Sequence, residues 1–264
     1  MREELGHYVG DVGAASHLIT HSSFLNQHYK IPAMIELIAF DADDTLWHTE
    51  HLYQMARQQF RDLMAPHVDL DSLDGLVHET EMRNLPLYGF GITSFILSLI
   101  EAAVEITAGT ITGTEIGRLL ALSREMVSAD VKLIDEVEET LAALAADYPL
   151  LLITKGDLLH QQDKVARSGL GRYFSGVEVV ADETSETYRD ILLRRAVAPE
   201  RFVMVGNSPR SDILPVVTLG GRAVYVPDEN TWVYDLVDLP DDLPGTIYRV
   251  GRVGEVVDLV RSWR

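Results

Sequence analysis

Three aspartates crowd the end of one apolar stretch: IELIAF (35–40) runs directly into Asp41, Asp43 and Asp44 of FDADDTLW. Carboxylates held a few ångströms apart raise one another's pKa unless a cation or a hydrogen-bond donor offsets the repulsion. On a strand, side chains alternate, so Asp41 and Asp43 face one side and Asp44 the other. A carboxylate pair converging on one spot suits a hard divalent cation with oxygen ligands. A strand that simply ends in a polar turn explains Asp44 and Thr45 equally well, because Asp and Thr favour turns and helix N-caps.

Two other apolar runs end the same way. PLLLIT (149–154) leads from Thr154 into Lys155, Gly156 and Asp157, and RFVMVG (201–206) leads into Asn207 and Ser208, with Asp212 following. With VEVV (177–180) and RAVYVP (222–227) these runs read as strands covered on both faces, since they are continuously apolar rather than alternating. Helical patterns lie between them at 134–147, 158–170, 187–197 and 254–263. Strand alternating with helix implies right-handed crossovers and an α/β fold, a doubly wound, mostly parallel Rossmann-like sheet. In such sheets the ligand site lies at the carboxyl ends of the strands, where the polar clusters fall.

From 48 to 133 the alternation stops and the pattern is helical throughout, as in HLYQMARQQFRDLMA and ITSFILSLIEAAVEI. A helical domain inserted directly after the acidic strand end is placed to cover the site as a cap. The expected organisation is a core of 34–47 and 134–264, a cap of 48–133, and an atypical leader of 1–33 without clear periodicity. His7, His17, His21 and His28 of that leader match no regular face, and a solvated tail explains them better than a metal cluster.

Composition narrows the function. The 264 residues contain no cysteine, which removes disulfides, thiolate catalysis and zinc–thiolate sites, and which fits a cytoplasmic protein. Acidic residues outnumber basic ones 41 to 22, giving a formal charge of -19 that repels nucleic acid and anionic membranes. A phosphate-bearing substrate therefore needs positive charge placed locally. No apolar run approaches a membrane span, and the N-terminus lacks a signal-peptide pattern. Oligomeric state is not legible.

FDADDTLW, LLITKGD and VGNSPRSD, in this order and each at a strand's carboxyl end, resemble the haloacid dehalogenase superfamily over about residues 34–264. The helical insertion looks like that superfamily's C1-type cap. The resemblance implies phosphoryl transfer with Mg2+ on a small phosphorylated substrate. Asp41 is then the nucleophile forming an aspartyl-phosphate, and Asp43 the acid for the leaving oxygen and the base for water. Thr154 and Lys155 bind the phosphoryl group beside Gly156, and Asp41, Asp43 (through its backbone carbonyl), Asn207 and Asp212 hold the metal. Superfamily dehalogenases lack an acid two residues after the nucleophile, so Asp43 favours phosphatase over dehalogenase chemistry.

The sequence departs from the family pattern twice. Glu183 stands where a lysine usually steadies the nucleophile and the phosphoryl charge, and an ionised carboxylate has no proton to donate. Lys155, Lys164 and Arg210 are candidate substitutes, although strand alternation turns Lys155 away and Lys164 reads equally as a surface charge. Asn207 replaces a common aspartate and weakens metal attraction. RNLPLYGFGITSF (83–95) reads either as a loop over the site, with Arg83 anchoring an anion, or as an inter-helix connection with core aromatics. Trp47 and His48 are expected to wall the cleft. The expected activity is a Mg2+-dependent phosphomonoester hydrolase; the alternatives are a weakened, ligand- or partner-binding relative, as Glu183 allows, and a phosphotransferase or mutase.

Overall fold

A computed structural model of the protein describes residues 34–240 and 242–264, so the leader and its histidines lie outside the described residues. Six parallel strands form one sheet: β1 (Leu37–Phe40), β2 (Leu150–Lys155), β3 (Gly176–Val180), β4 (Phe202–Gly206), β5 (Arg222–Tyr225) and β6 (Thr246–Arg249), in the order β3-β2-β1-β4-β5-β6. This is the doubly wound arrangement that the alternation of strand and helix predicts. The winding direction reverses between β1 and β4, which are hydrogen-bonded with Phe40 opposite Val205. A crevice forms where the two connections leave in opposite directions, and it opens at the carboxyl ends of those strands.

The pleat divides each central strand between two cores. Ile38, Phe40, Leu150, Leu152, Val203 and Val205 face one side, packed with α5 (Val137–Ala145) and α9 (Glu255–Arg261). Leu37, Ala39, Leu151, Ile153, Phe202 and Met204 face the other, where α7 (Ser185–Arg195) contributes Tyr188, Ile191 and Leu192. Burial of both faces explains why these strands read as unbroken apolar runs. β6 is absent from the sequence expectation. Its four residues, TIYR, are only partly buried at the sheet edge, so no apolar run marks them.

Between β1 and α5 the chain forms four helices: α1 (Glu50–Met64), α2 (Leu70–Tyr88), α3 (Ile92–Ile106) and α4 (Gly113–Ser128). They pack around an apolar cluster of their own that includes Phe60, Met64, Leu73, Ile92, Leu99, Leu119 and Leu122. The amide of Asp71 bonds to the Asp69 carboxylate at the start of α2, and α4 opens with a reciprocal Thr112–Glu115 capping box. The stretch 83–95 is mostly helical. α2 continues through Pro86 to Tyr88, and only Gly89, Phe90 and Gly91 connect it to α3. Both glycines have positive φ, 73° and 127°. At Gly91 a Cβ would sit 2.6 Å from Asp157 Oδ2, the atom that accepts the Thr93 amide at the start of α3 at 3.0 Å. This close approach ties the helical region to the turn after β2. Among the described residues no helix is long and apolar enough to cross a membrane.

Candidate active site

Asp41 follows β1 directly, and its amide continues the ladder to Val205 O at 2.9 Å. Asp212 lies in a short π-helical turn, Pro209–Ile213, after β4, and Glu183 precedes α7. One carboxylate oxygen from each of Asp41, Glu183 and Asp212 lies within 4.8 Å of the others. All three residues are buried. Asp212 Oδ2 accepts the Ser208 amide at 2.8 Å, while Asp212 Oδ1 and Glu183 Oε1 are buried without a hydrogen-bond partner. Burial pushes Asp41 well above the usual carboxylate range, and repulsion from Asp212 and Glu183 adds to it. Asp212 is raised by burial and by Glu183, and Glu183 is raised by burial to about 7 despite Lys155 beside it. Converging hard oxygens, partly orphaned and mutually repelling, fit a divalent cation such as Mg2+.

Gly206 makes this packing possible. A Cβ there would stand 2.1 Å from Asp212 Oδ2. Gly206→Ala is therefore expected to displace Asp212, lower stability by about 1–3 kcal/mol and weaken divalent-cation binding. Urea unfolding with a parallel metal titration checks this, and a variant with unchanged metal affinity contradicts it.

Lys155 is brought into the cleft, against the expectation from strand alternation. β2 ends at this residue, and Gly156, at φ 133°, turns the chain away. The ammonium reaches Glu183 Oε2 at 3.2 Å, Ser211 Oγ at 2.6 Å and Asp235 Oδ2 at 3.5 Å, and lies 5.3 Å from the Phe90 ring centre. Burial alone would lower its pKa, but Glu183, Asp235, Asp212 and Asp41 outweigh that and raise it. Arg210, the third candidate cation, stacks on Tyr234 instead.

Asp43 is held apart from the three-carboxylate cluster. Its carboxylate accepts Lys164 Nζ at 2.5 Å, Trp47 Nε1 at 2.6 Å, Thr49 Oγ1 at 2.8 Å and Gln161 Nε2 at 2.9 Å. Burial would raise its pKa, but the Lys164 ammonium and these donors bring it down to about 2, so it is ionised. Lys164 is thus a buried partner of Asp43 rather than a surface charge. Gln161 also reaches Thr154 Oγ1 at 3.1 Å and Lys155 O at 2.6 Å. Asp44, in the left-handed region at φ 61°, accepts the amides of Thr49 and Glu50 at the start of α1.

The remaining sequence candidates divide. Thr154 and Gly156 line the cleft with Asp41, Asp43 and Lys155. Asn207 also lines it, but its Oδ1 accepts the Thr45 hydroxyl at 3.2 Å, so a metal would have to share that oxygen. Trp47 does not wall the cleft: it is buried and orients Asp43. Arg83 does not reach it either. It stands half exposed on α2, paired with Glu101 at 2.9 Å and Glu105 at 2.7 Å on α3. Sequence reasoning missed Gln161, Asp235 and Arg57. Gln161 and Lys164 share a buried face of α6 (Leu158–Ser168) at a spacing of three, which was the available signal. Asp235 carried none.

On the side of the helices α1–α4, Arg57 of α1 bonds to Glu50 at 3.2 Å and to Glu81 of α2 at 3.4 Å, and its guanidinium lies 5.1 Å from the Phe95 ring centre. The whole cleft is a cavity of about 150 Å³. Burial raises Glu50 to about 7 from an ordinary 4.5, against the opposing pull of Arg57. Between those two values the folded protein binds a proton that the unfolded chain releases, so this group makes stability fall as pH rises through that window. In Glu50→Gln, urea midpoints at about pH 5 and about pH 7.5 should lie closer together than in wild type. An unchanged gap contradicts the assignment.

The haloacid dehalogenase-like hydrolase family matches residues 35–216. A haloacid dehalogenase-like family hydrolase from Xanthomonas campestris is 36% identical in sequence, with a TM-score of 0.77 over 87% of this chain and 91% of that one. The glyceraldehyde 3-phosphate phosphatase of Methanothermobacter thermautotrophicus is 28% identical over 209 residues, 75% of this chain and 88% of its own. A 2-haloacid dehalogenase from Pseudomonas syringae pv. tomato DC3000 shares the fold, with a TM-score of 0.57 and 24% identity over 88% of this chain and 100% of that one. The chain belongs to the haloacid dehalogenase-like hydrolases, and it is a hydrolase.

Proposed function

We propose that the protein is a Mg2+-dependent phosphatase that hydrolyses a small phosphomonoester through an aspartyl-phosphate on Asp41, in the cytoplasm. The observation carrying this reading is the three-carboxylate cluster with its orphaned oxygens beside a separately held Asp43. Asp41, Asp212 and Glu183 would hold the cation, with the Asp43 carbonyl and Asn207 as further oxygen donors. A cation held there would supply the positive charge that keeps Asp41 ionised and offsets the phosphoryl charge.

Asp41 attacks phosphorus, its oxygen bonding there as the ester P–O bond breaks, and the leaving oxygen takes a proton. Water then attacks phosphorus, the bond to Asp41 breaks, and inorganic phosphate leaves. Thr154, whose hydroxyl oxygen accepts Gln161, keeps its proton free to donate to a phosphoryl oxygen. Asp43, as an ionised carboxylate, is set up as the base for water. To act as the acid of the first step it must take up a proton in exchange for its Lys164 contact. Lys155 supplies the positive charge expected from the missing lysine. The helices α1–α4 form the cap that closes over the reaction, with Phe90 reaching the cleft from the α2–α3 connection.

The relative from Methanothermobacter, a phosphatase, supports a phosphoester substrate. The presence of Asp43 in the cleft, two residues after Asp41, also supports this reading over carbon–halogen cleavage, which needs no leaving-group proton. Incubation of the purified protein with p-nitrophenyl phosphate and Mg2+ tests it. Turnover abolished by chelation is expected, and no turnover across a panel of divalent metals and phosphoesters ends the phosphatase reading.

A further inference from the structure

The cleft has two ends with different chemistry. At the sheet end lie the carboxylate cluster, Thr154 and Lys155; at the cap end, Arg57 sits among Glu50, Glu81 and Phe95. Among the described residues, three lysine or arginine side chains line the whole cleft, Arg57, Lys155 and Lys164, and each is already ion-paired. Lys155 is held by Glu183 and Asp235, Lys164 by Asp43, and Arg57 by two carboxylates at once. Burial raises Glu81 as it does Glu50, against the pull of Arg57; with Glu81 ionised, Arg57 faces at least as much negative charge as it carries whichever protonation state Glu50 takes. The cap end therefore presents no surplus cation to a second anionic group on the substrate.

It presents hydrogen-bonding groups and aromatic surface instead. The carboxylates of Glu50 and Glu81 accept from hydroxyls, and the hydroxyls of Tyr53 and Ser94 line the same wall. The ring of Phe95 packs edge-on to Tyr53 at 5.0 Å, forming an apolar floor beside these polar groups. A carboxylate brought here would meet Glu50 and Glu81 at short range, and such like-charge contact is a strong discriminating element. A hydroxyl would meet acceptors.

We infer that the cap end selects a neutral, hydroxyl-bearing leaving group, a polyol or small sugar, and rejects esters whose leaving group carries a carboxylate. The selecting device is the arginine already neutralised by Glu50 and Glu81. This inference rests on the phosphatase reading and names the substrate class for the same site.

Glycerol 3-phosphate and 3-phosphoglycerate differ at the far carbon as a hydroxymethyl and a carboxylate, so they probe the cap end directly. Two measurements are made with the whole protein: kcat/KM of the wild type, and calorimetric binding of each ester to Asp41→Asn with Mg2+ present, which needs no turnover. The expected preference for glycerol 3-phosphate is about tenfold or more in both, the order of a like-charge contact in partly screened surroundings. Glu81→Gln, which frees Arg57 from one carboxylate, is expected to shift the ratio toward 3-phosphoglycerate by about fivefold or more. If Glu81→Gln fails to fold, the wild-type ratio still decides. Equal or reversed preference, or binding of neither ester, overturns the inference. Should that happen while p-nitrophenyl phosphate is still turned over, the phosphatase reading stands; no turnover of that ester removes the reading itself.

Discussion

Asp41→Asn is expected to lower hydrolysis of p-nitrophenyl phosphate by more than about a thousandfold, the scale of loss when a nucleophile is removed. The amide has nearly the same shape, so the change removes nucleophilicity and charge without opening a cavity. Two readings of stability should accompany the loss. Burial, and then repulsion from Asp212, Glu183 and Asp43, hold Asp41 well above its ordinary pKa. Replacing it with a neutral isostere relieves repulsion, so the metal-free variant should melt at a higher temperature than metal-free wild type. The stabilisation that Mg2+ gives wild type should shrink in the variant, because one of three converging oxygens no longer carries charge. A variant that keeps activity removes Asp41 from the nucleophilic role. One that loses activity with an unchanged melting response to Mg2+ separates the nucleophile from the cation site.

How much of this was legible in the sequence depends on the range of the interactions. The core strands announced themselves because burial on both faces leaves a continuous apolar run, as in LLLIT and FVMV. β6 did not, because an edge strand with partly exposed residues resembles a loop. Asp41, Thr154 and Asp212 could be placed at one rim because strand ends and chain order locate them. Lys155, named as a phosphoryl-binding residue, does line the cleft; alternation alone would turn it away, but alternation describes a continuing strand and this one ends at Lys155, before Gly156. Arg83 and Trp47 do not line it. The stretch 83–95 with its two glycines reads equally as a loop over the site or as an inter-helix connection; it is the connection, α2 runs on to Tyr88, and Arg83 stands half exposed with Glu101 and Glu105. Trp47 turned inward to Asp43, a contact four residues away that a strand-end pattern does not specify. The pairings of Arg57 with Glu81, and of Lys155 with Glu183 and Asp235, join segments far apart in the chain, and single-sequence pattern carries no information about them.

The pairing of Lys155 with Glu183 also sets the expectation for the departure at position 183. A lysine there, as the family resemblance leads one to expect, would add an ammonium to the rim; Glu183 removes it and adds a carboxylate. Lys155 supplies one ammonium in compensation, at 3.2 Å from Glu183. On the proposed function, the carboxylates of Asp41, Asp212, Glu183 and Asp235 outnumber the charge that Lys155 and a divalent cation would bring, so an incoming phosphoester would work against a negative rim. Glu183 should therefore strengthen metal binding and weaken substrate binding. Glu183→Gln is expected to weaken Mg2+ or Mn2+ binding by about tenfold or more, read by calorimetry or by Mn2+ paramagnetic resonance without any turnover. At saturating metal the same variant should show a lower KM, since one repelling charge is gone. Glu183→Lys goes further: its ammonium would stand beside Lys155, so metal affinity should fall below that of Glu183→Gln and kcat should not rise. Unchanged metal affinity in Glu183→Gln would remove Glu183 from the ligand set, and a large gain in kcat for Glu183→Lys would show that Lys155 does not supply the missing charge.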